Sequence, residues 1–531
     1  MDRSFVLRCL AVSIAASLSI ELSAQDPANK PAVPTPAVPT PAVKPTAAPT
    51  PRANPVDAAA EQQGAPIREL TLGDALRSGL RHNVGLRAGE ISPQQARLEL
   101  LFAEAGFEPE MYGSAGYADR QSPTRNAFSP SIESTTIDAT VGWRQRVVTG
   151  GLFDLAFQPT RFESSQSGGA FPDKQFTSEW TASFRQPLLR SAWSDYGLAS
   201  VNTARYRLSQ ANADYATAVQ DTLLAIVVAY WNLAFERENF GVVGTALDVA
   251  EEQLRITDER IRVQALAPLD RIADEAEVAR RREELIVAEN LIRAREDELR
   301  RLLFDGADRT LWQINLRPTS PIPVQLSTDG LAFEPLVEVA LATRPDLKSQ
   351  RSSIAAAEVA LLQAERDLLP GLDLVTGYAS DGVRDHFNLA FSDSIDQQYP
   401  DWSVRLEFVV PLGNHAAKAR AQQARLEVER QRRVLHAATL DVCKEVRDAV
   451  RTLGSLVQSM QASAESVRLA QTNLSTEQVK LRVGASTAFE VQRRNQELQE
   501  AKSRHLRNQL DYRTGQSRLL HAQGLLQADV E

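Results

Sequence analysis

Two very long helical segments constrain the fold of this chain more than any other feature of its sequence. Residues 205–263 and 415–483 carry a helical pattern of apolar residues and contain no proline. At 1.5 Å per residue, helices of roughly 60 to 70 residues span about 100 Å. A globular domain of this mass does not need such rods, so we predict an elongated body in which long helices pack along one another.

The two long segments belong to an internal duplication. Six residues recur 261 positions later in the chain: Leu80 as Leu341, Leu86 as Leu347, Glu104 as Glu365, Pro109 as Pro370, Gly116 as Gly377 and Tyr117 as Tyr378. Farther along the offset is 220, as from Leu233 to Leu453. The two offsets differ by 41 residues, which indicates an insertion in the first copy. We therefore predict a first repeat at 69–301, a connector at 302–334, a second repeat at 335–524 and a tail at 525–531.

Each copy is predicted to open with short helices and to close with a helical hairpin. In the first copy, Thr71 and Asp74 have the spacing of a helix start, and Ser92-Pro93 predicts a second start with proline at the first helical position. A tight turn after each long helix leads into a returning helix, which is expected to reach about residue 301 in one copy and 524 in the other.

Between the opening helices and the long helix, each copy has segments in which apolar and polar residues alternate. The predicted strands are 109–119, 135–148, 151–162 and 175–186 in the first copy, and 370–379 and 400–410 in the second. Segments of about ten residues with one apolar side and terminal aromatics are typical of transmembrane β-barrels. The residues predicted to face lipid are Ile137, Val141, Trp143, Phe153, Phe157, Phe176, Trp180, Phe184, Trp402, Leu406 and Phe408. A half-buried soluble sheet has the same period, so this alternative stays open.

The N-terminus has the pattern of an export signal. Arg3 and Arg8 supply positive charge, "CLAVSIAASLSI" supplies a short apolar core, and Ala24 offers a small residue for cleavage, so residues 1–24 are predicted to be removed. Residues 25–68 are rich in proline and alanine, with "PAVPT" twice in tandem, and predict a disordered linker. Cleavage would leave Cys443 as the remaining cysteine, which excludes an intramolecular disulfide.

A membrane-spanning helix is not expected after the signal. We expect no apolar run to reach the roughly 18 residues that such a helix needs. The longest candidate, at 223–235, is predicted to be a buried helix face. An exported chain without a spanning helix belongs in the periplasm, outside the cell, or in an outer membrane as a β-barrel.

Composition and motifs argue against nucleic-acid binding and catalysis. The net charge is −9, so the chain has no bulk attraction to a polyanion. The six histidines form no H-E-x-x-H pair, and the sequence has no phosphate loop, dinucleotide fingerprint or G-x-S-x-G elbow. We therefore expect no enzyme activity, no cofactor and no metal site.

At several points the sequence resembles the TolC-type outer-membrane efflux channels, or outer-membrane factors. The opening "LTLGDALRSGLRHN" and its counterpart "PLVEVALATRPDL", the strand-to-helix junctions "QPLLR" and "VPLGN", and the turns "APLDRIADEA" and "VGASTAFEV" follow the family's order in a duplicated frame. The resemblance covers nearly everything from residue 70 to 524.

The resemblance implies an α+β membrane protein, in which a homotrimer forms a transmembrane β-barrel in outer-membrane lipid and a long antiparallel α-helical barrel in the periplasm. It also implies a passive exit duct of a tripartite efflux or secretion system, whose helical tips meet a periplasmic adaptor and an inner-membrane transporter. The alternative is a periplasmic coiled-coil scaffold or adaptor protein with a soluble β-domain.

The helix-turn-helix tips are the candidate functional site that the resemblance implies. In the family the tips close the periplasmic entrance with acidic residues, and the matching positions here are Asp270 and Glu490. Many relatives have a second acid where this chain has Arg493, which favours a constriction of mixed charge, with Arg482 and Arg494 as further candidates. The predicted adaptor-contact turns comprise Ala267, Pro268, Gly484, Ala485, Ser486 and Thr487.

Helix capping offers an alternative explanation of the same tip residues. Thr487 and Glu490 have the spacing of a capping box, and Pro268 with Asp270 suits a first helical turn. Gly484 likewise suits a helix-ending turn, at a position where the first copy has Gln264. Capping and gating are compatible, and both hypotheses remain open.

The number of barrel strands follows from the insertion in the first copy. Four strands per protomer are usual in the family, and the segments at 135–148 and 151–162, joined by "TGG", add two. We therefore predict six strands per protomer and about 18 in a trimer, where the family has twelve, and a wider membrane pore. If the added hairpin folds outside the wall, the number returns to twelve.

Overall fold

The computed structural model describes residues 67–126, 129–164, 174–264, 266–306, 312–321 and 332–527. The predicted signal at 1–24 lies outside the described residues, as does the predicted linker except for its last two residues, 67 and 68. Those two begin strand β1 (Ile67–Leu70). The last four residues of the predicted tail also lie outside the described part.

The described residues are mainly helical. The helices of the first copy are α1 (Leu72–His82), α2 (Val84–Ala105), α3 (Trp193–Gly197), α4 (Ala199–Arg262) and α5 (Pro268–Leu303). Those of the second copy are α6 (Phe333–Thr343), α7 (Pro345–Arg366), α8 (Phe387–Ile395), α9 (His415–Arg482) and α10 (Ala488–Ala522).

The duplication is visible in the helix boundaries. Helices α6 and α7 begin and end at the larger of the two sequence offsets from α1 and α2. The end of α9 and the start of α10 lie at the smaller offset from the end of α4 and the start of α5. The offsets found in the sequence are therefore offsets between equivalent structural elements.

The opening helices of the first copy start where polar side chains cap them. Thr71 Oγ1 accepts the Asp74 N–H at 3.1 Å at the start of α1, and Asn83 Oδ1 accepts the Leu86 N–H at 3.0 Å at the start of α2. The prediction that Ser92-Pro93 starts a new helix is wrong, because α2 continues through Pro93. The Asn83 cap already supplies the helix start, and Pro93 leaves only one intrahelical hydrogen bond unmade.

The strands form two sheets. Strand β1 pairs in parallel with β6 (Asn315–Pro318). Because β6 belongs to the predicted connector, this pairing holds the connector against the start of the first repeat. The larger sheet is antiparallel, in the order β2-β3-β4-β5-β7-β8. Its strands are β2 (Glu110–Asn126), β3 (Ser129–Arg146), β4 (Leu152–Ser164), β5 (Lys174–Pro187), β7 (Gly371–Arg384) and β8 (Pro400–Val409). The sequence predicts six strands at these places, and the inserted hairpin β3-β4 pairs within the sheet.

The hairpin between β3 and β4 turns at "TGG". The Val147 N–H donates to the Gly151 carbonyl at 2.8 Å, and the Gly150 N–H donates to the Val147 carbonyl at 2.9 Å. Gly150 has φ +86°, a conformation that glycine adopts without steric cost. The turn lies beside the start of the helical part, because a Cβ on Gly150 would be 2.4 Å from the Ser191 carbonyl oxygen.

The helices pack in two groups along the long rods. Near the sheet, α2 contacts α4, α4 contacts α7, and α7 contacts α9. Farther from the sheet, α5 contacts α4, α4 contacts α10, and α10 contacts α9. Helix α4 thus lies between the two copies along its length.

The main core lies around the middle of α4, where β1, β6, α1, α5 and α10 meet. Ile226 and Tyr230 are fully buried there, and the Tyr230 hydroxyl donates to the Leu70 carbonyl at 3.0 Å. Helix α4 contains an 18-residue window that is long and apolar enough to cross a membrane, contrary to the expectation that no such run exists. The apolar residues at 223–235 supply most of this window, and they pack into the core as predicted for a buried helix face.

Candidate functional site

One face of the six-stranded sheet carries all eleven residues predicted to face lipid. Residues directly opposite on neighbouring antiparallel strands point to the same side. The pairs Val141 with Phe157, Phe157 with Trp180, and Phe153 with Phe184 put these residues of β3, β4 and β5 on one side of the sheet. Pairs such as Thr376 with Phe184 and Thr376 with Val404 extend the same side onto β7 and β8. We call this side the aromatic face.

Much of the aromatic face is uncovered by the chain itself. Trp402 is 74% exposed, Leu406 64% and Phe408 65%. Trp143 and Phe153 pack edge to face across β3 and β4, with ring centres 5.5 Å apart. A contiguous apolar surface of this kind requires a non-aqueous partner.

Two of the predicted lipid-facing residues contact protein. The ring of Phe157 lies 5.6 Å from that of Phe391, and the ring of Phe176 lies 6.4 Å from that of Phe387. Both partners belong to the short helix α8, which the sequence analysis did not predict. Part of the aromatic face is therefore covered by α8.

The opposite face of the sheet is polar and charged. Arg185 on β5 donates to Asp373 on β7 at 2.9 Å and to Glu407 on β8 at 2.7 Å. Arg144 pairs with Glu110 at 2.9 Å across β3 and β2. These ion pairs lie toward the helical end of the sheet, and those of Arg185 connect a strand of the first copy to two strands of the second. We call this side the polar face.

The tip turn of the second copy has a complete helix-end motif. Val483 caps α9, and Gly484, with φ +75°, donates its N–H to the Leu481 carbonyl at 3.1 Å. The Ala485 N–H donates to the Lys480 carbonyl at 2.9 Å, which completes a Schellman motif. Gly484 therefore has the helix-ending geometry expected from its sequence.

Thr487 is the N-cap of α10, and its hydroxyl accepts the Glu490 N–H at 3.4 Å. The Glu490 carboxylate lies 3.6 Å from the guanidinium of Arg493, and Arg493 lies 3.5 Å from Glu497. The backbone of Glu490 thus takes part in the cap, while its carboxylate belongs to a chain of mixed charges. This arrangement leaves both capping and gating open as roles for Glu490.

A second polar contact ties the tip turn to the end of α9. The Ser486 hydroxyl donates to the Glu477 carboxylate at 2.5 Å, and Lys480 pairs with the same carboxylate at 3.2 Å. These contacts hold the pKa of Glu477 below its ordinary value, chiefly through the Ser486 hydrogen bond. Arg494 nearby pairs with Glu497 at 2.8 Å.

The tip of the first copy is built differently. Ala267 is the N-cap of α5 and gives no side-chain hydrogen bond, and Pro268 lies in the first helical turn. Asp270 belongs to that turn, but its side chain lies outside the described part of the structure. Deeper in the same hairpin, the hydroxyl of Thr257 donates to buried Asp274 at 2.6 Å and ties α4 to α5.

A buried ion cluster between α4 and α5 is not identifiable from the sequence. Glu296 is 2% exposed and accepts hydrogen bonds from Arg237 and Arg300, both at 2.8 Å. Its segment, "RAREDELRR", has the charge pattern of a solvated or interhelical face, and Glu296 and Arg300 prove to be buried between the helices. Only the position of Arg237 on the partner helix distinguishes Glu296 from its exposed neighbours.

Metal-binding clusters are absent from the described ranges: no group of three or more His, Cys, Asp or Glu residues there could hold an ion.

Comparisons with known proteins agree with this architecture. Residues 336–525 match the family model described as "Outer membrane efflux protein". The outer membrane protein TolC of Vibrio cholerae serotype O1 is 24% identical over 340 residues, which is 64% of this chain and 74% of that protein.

Solved outer-membrane channels share the fold. The CmeC channel of Campylobacter jejuni has a TM-score of 0.62 at 14% identity, and the match covers 87% of each chain. The open MtrE channel of Neisseria gonorrhoeae has a TM-score of 0.62 at 15% identity, covering 87% of this chain and 90% of that one. VceC of Vibrio cholerae has a TM-score of 0.62 at 16% identity, covering 85% and 96%. The second copy therefore matches the outer membrane efflux protein family, and the described residues share the fold of solved outer-membrane channels.

Proposed function

We propose that this protein is the passive outer-membrane exit duct of a tripartite efflux or secretion system. The sheet with one aromatic and one polar face is the observation that carries the proposal. A sheet in a bilayer needs an apolar side toward lipid and can line an aqueous channel with the other. The family match and the channel folds of its structural relatives support the same function.

The two edges of the sheet support an assembly of several copies. Strands β2 and β8 are the outermost strands, and each pairs on one side only within the described chain. Unpaired backbone N–H and carbonyl groups are too costly in hydrocarbon, so a membrane sheet must close into a barrel. We propose closure by a homotrimer, in which β8 of one protomer pairs with β2 of the next, giving about 18 strands.

The helical part would carry the channel across the periplasm toward its partners. The tip turns, with Ala267, Pro268, Gly484, Ala485, Ser486 and Thr487, are proposed to contact a periplasmic adaptor, and through it an inner-membrane transporter. We expect the duct to conduct without catalysing a reaction, because energy would come from the transporter. Asp270, Glu490 and Arg493 are the proposed charged entrance.

Membrane extraction tests the proposal against a soluble scaffold with the same strands. The mature protein should stay in the outer-membrane fraction through washes with high salt and at high pH, and it should need detergent for release. Release without detergent would contradict the barrel and favour the periplasmic scaffold or adaptor.

Native mass spectrometry of the detergent-solubilised protein tests the assembly. We expect a mass of three chains and ion-conducting pores in planar bilayers. A monomeric or dimeric particle would contradict the trimer and the proposed strand number.

A further inference from the structure

The short helix α8 lies over the aromatic face instead of extending away from the sheet. It connects β7 to β8 and contacts β5 and β7. Phe387 and Phe391 stack on each other with ring centres 6.0 Å apart, and they contact Phe176 and Phe157 respectively. Because α8 follows the end of β7 that is farther from α7, it lies at the end of the sheet opposite the long helices.

Two strand residues beneath α8 are small and polar, unlike the aromatic residues around them. Ser178 and Ser380 are almost fully buried. The Ser380 hydroxyl donates to the Ser394 carbonyl at 2.7 Å, and the Ser178 and Ser394 hydroxyl oxygens lie 2.9 Å apart. Without α8 these serine hydroxyls would lack hydrogen-bond partners in hydrocarbon. The strand surface under α8 therefore suits a packed helix better than lipid.

Gly382 allows the closest approach of the helix. A Cβ at this position would lie 1.9 Å from the Ala390 carbonyl oxygen and 2.9 Å from the Ser394 nitrogen. These neighbours are backbone atoms, so a larger residue would have to lift α8 from β7. Arg384 also pairs with buried Asp393 and fixes the edge of the helix.

The outward side of α8 combines apolar and polar residues. Leu389 is 48% exposed and Ile395 53% exposed, while Asn388 and Ser392 beside them are exposed polar residues. On the inward side, Ala390 is fully buried. A short helix with a mixed outer surface suits the boundary between lipid chains and headgroups.

We propose that α8 is a lipid-contacting flange on the outer wall of the barrel, with Leu389 and Ile395 in the outer leaflet. Its position continues the exposed aromatic face, which argues for lipid as the occupant. Because α8 is packed on the sheet, its exposed apolar side chains lie at a fixed height on the barrel wall, and they set the depth at which the barrel sits in the membrane. This inference rests on the proposed function, since it needs the aromatic face to lie in a bilayer.

Spin labels test where α8 lies. Single cysteines at Leu389, Ile395, Leu406 and Arg405, in a Cys443→Ser background, would carry a nitroxide in the full chain. The chain would be reconstituted in vesicles of phosphatidylethanolamine and phosphatidylglycerol, and collision rates with oxygen and with a water-soluble nickel chelate would be measured. Labels at Leu389, Ile395 and Leu406 should collide more often with oxygen, and the label at Arg405 on the polar face more often with nickel.

The other possible results distinguish a failure of the flange from a failure of the proposed function. If the labels at Leu389 and Ile395 favour nickel while Leu406 favours oxygen, α8 lies in water and the flange is wrong, but the duct stands. If Leu406 also favours nickel, the proposed function itself fails. If the Leu389 label is shielded from both reagents, another protein surface covers α8, which also overturns the flange.

A glycine pair adds a structural control. Gly382→Ala should lift α8 and lower the ratio of oxygen to nickel collisions at the Leu389 label below unity, with no change at Leu406. Gly377→Ala on the same strand meets only the Ser403 hydroxyl at 3.0 Å and should leave the ratio unchanged. Equal ratios in the two variants would contradict the close packing of α8 on which the inference depends.

Discussion

Gln264 and Gly484 occupy equivalent positions in the two copies, and both have left-handed backbone, with φ +62° and φ +75°. The Gln264 N–H donates to the Ile261 carbonyl at 2.9 Å, as the Gly484 N–H does to the Leu481 carbonyl. The two long helices therefore end in the same left-handed conformation with different residues, although the turns that follow are capped differently. Because a residue with a Cβ is strained in this conformation, the tip of the first copy carries a conformational cost that the second avoids.

We predict opposite effects of exchanging these residues. Gln264→Gly should stabilise the first tip, and Gly484→Ala should destabilise the second, each by about 1 kcal/mol. A Cβ on Gly484 would meet nothing within 4 Å, so its cost comes from the backbone alone. Amide hydrogen exchange of the tip peptides would measure both changes.

Gly454 supplies the control for that pair. It lies inside α9, where a Cβ would also meet nothing within 4 Å. Gly454→Ala should therefore slow exchange by raising helix propensity, a change opposite in sign to that of Gly484→Ala. Slower exchange in both alanine variants would show that the turn imposes no strain.

Separate variants can distinguish gating from capping at Glu490. Glu490→Gln removes the charge and keeps the backbone N–H that donates to Thr487. Thr487→Ala removes the cap, at a cost of about 1 kcal/mol, and keeps the charge. If the carboxylate lines the entrance, Glu490→Gln should lower the cation preference of single-channel currents, and Thr487→Ala should leave it unchanged. Unchanged currents in Glu490→Gln would leave capping as the sufficient role.

The features that could be predicted from the sequence are those set by local periodicity. The alternation around Val141, Trp143 and Phe157 gives the side of the sheet on which each residue lies, because side chains along a strand alternate strictly between its two faces. The recurrence of residues at two fixed offsets gives equivalent helices, because the spacing of buried residues repeats with them. Both patterns can be recognised without knowing which distant residues are in contact.

The features that could not be predicted depend on partners distant in the chain. Ser178, Ser380 and Gly382 have no unusual local pattern, and their role follows from α8 lying across them. Glu296 is likewise indistinguishable from exposed Glu298 until the position of Arg237 is known. The prediction at Pro93 is wrong because proline is common at helix starts, whereas tertiary packing here keeps it within a helix.

Loss of the buried carboxylate should destabilise the helical part. Glu296→Ala would remove the carboxylate that Arg237 and Arg300 share, both of them 7% exposed in their side chains, while Arg300 would keep its pair with Asp297. We expect a loss of about 3–5 kcal/mol, seen as a lower thermal midpoint of the helical circular dichroism signal. Glu298→Ala is the control, because Glu298 is 44% exposed and pairs with Arg295 at the surface. Equal midpoints in the two variants would contradict a structural role for the cluster.

Acidification should loosen the tip of the second copy through Glu477. Its pKa is lowered in the folded protein, chiefly by the Ser486 hydrogen bond and then by Lys480. The stabilisation is therefore complete above the pKa of an unfolded glutamate, and it is lost as the pH falls through the lower folded pKa. Wild type and Glu477→Gln should differ in thermal midpoint at neutral pH and converge in acid. A difference that persists at pH values below the folded pKa would show that another group is responsible.

The ion bridge at Arg185 predicts the selectivity of the barrel. Arg185→Gln would leave Asp373 and Glu407 without the guanidinium that joins them, so the polar face would become more negative. A unit charge about 4 Å away in water changes an ion's free energy by about 1 kcal/mol, with opposite sign for potassium and chloride, so the ratio of potassium to chloride permeability should rise by up to about thirtyfold. Reversal potentials in a potassium chloride gradient would measure the change. Arg190→Gln removes the same charge at the junction with the helices, where Arg190 pairs with Asp367 at 3.3 Å, and it should have a smaller effect. If Arg190→Gln shifts the reversal potential as much as Arg185→Gln, the polar face does not line the conducting path.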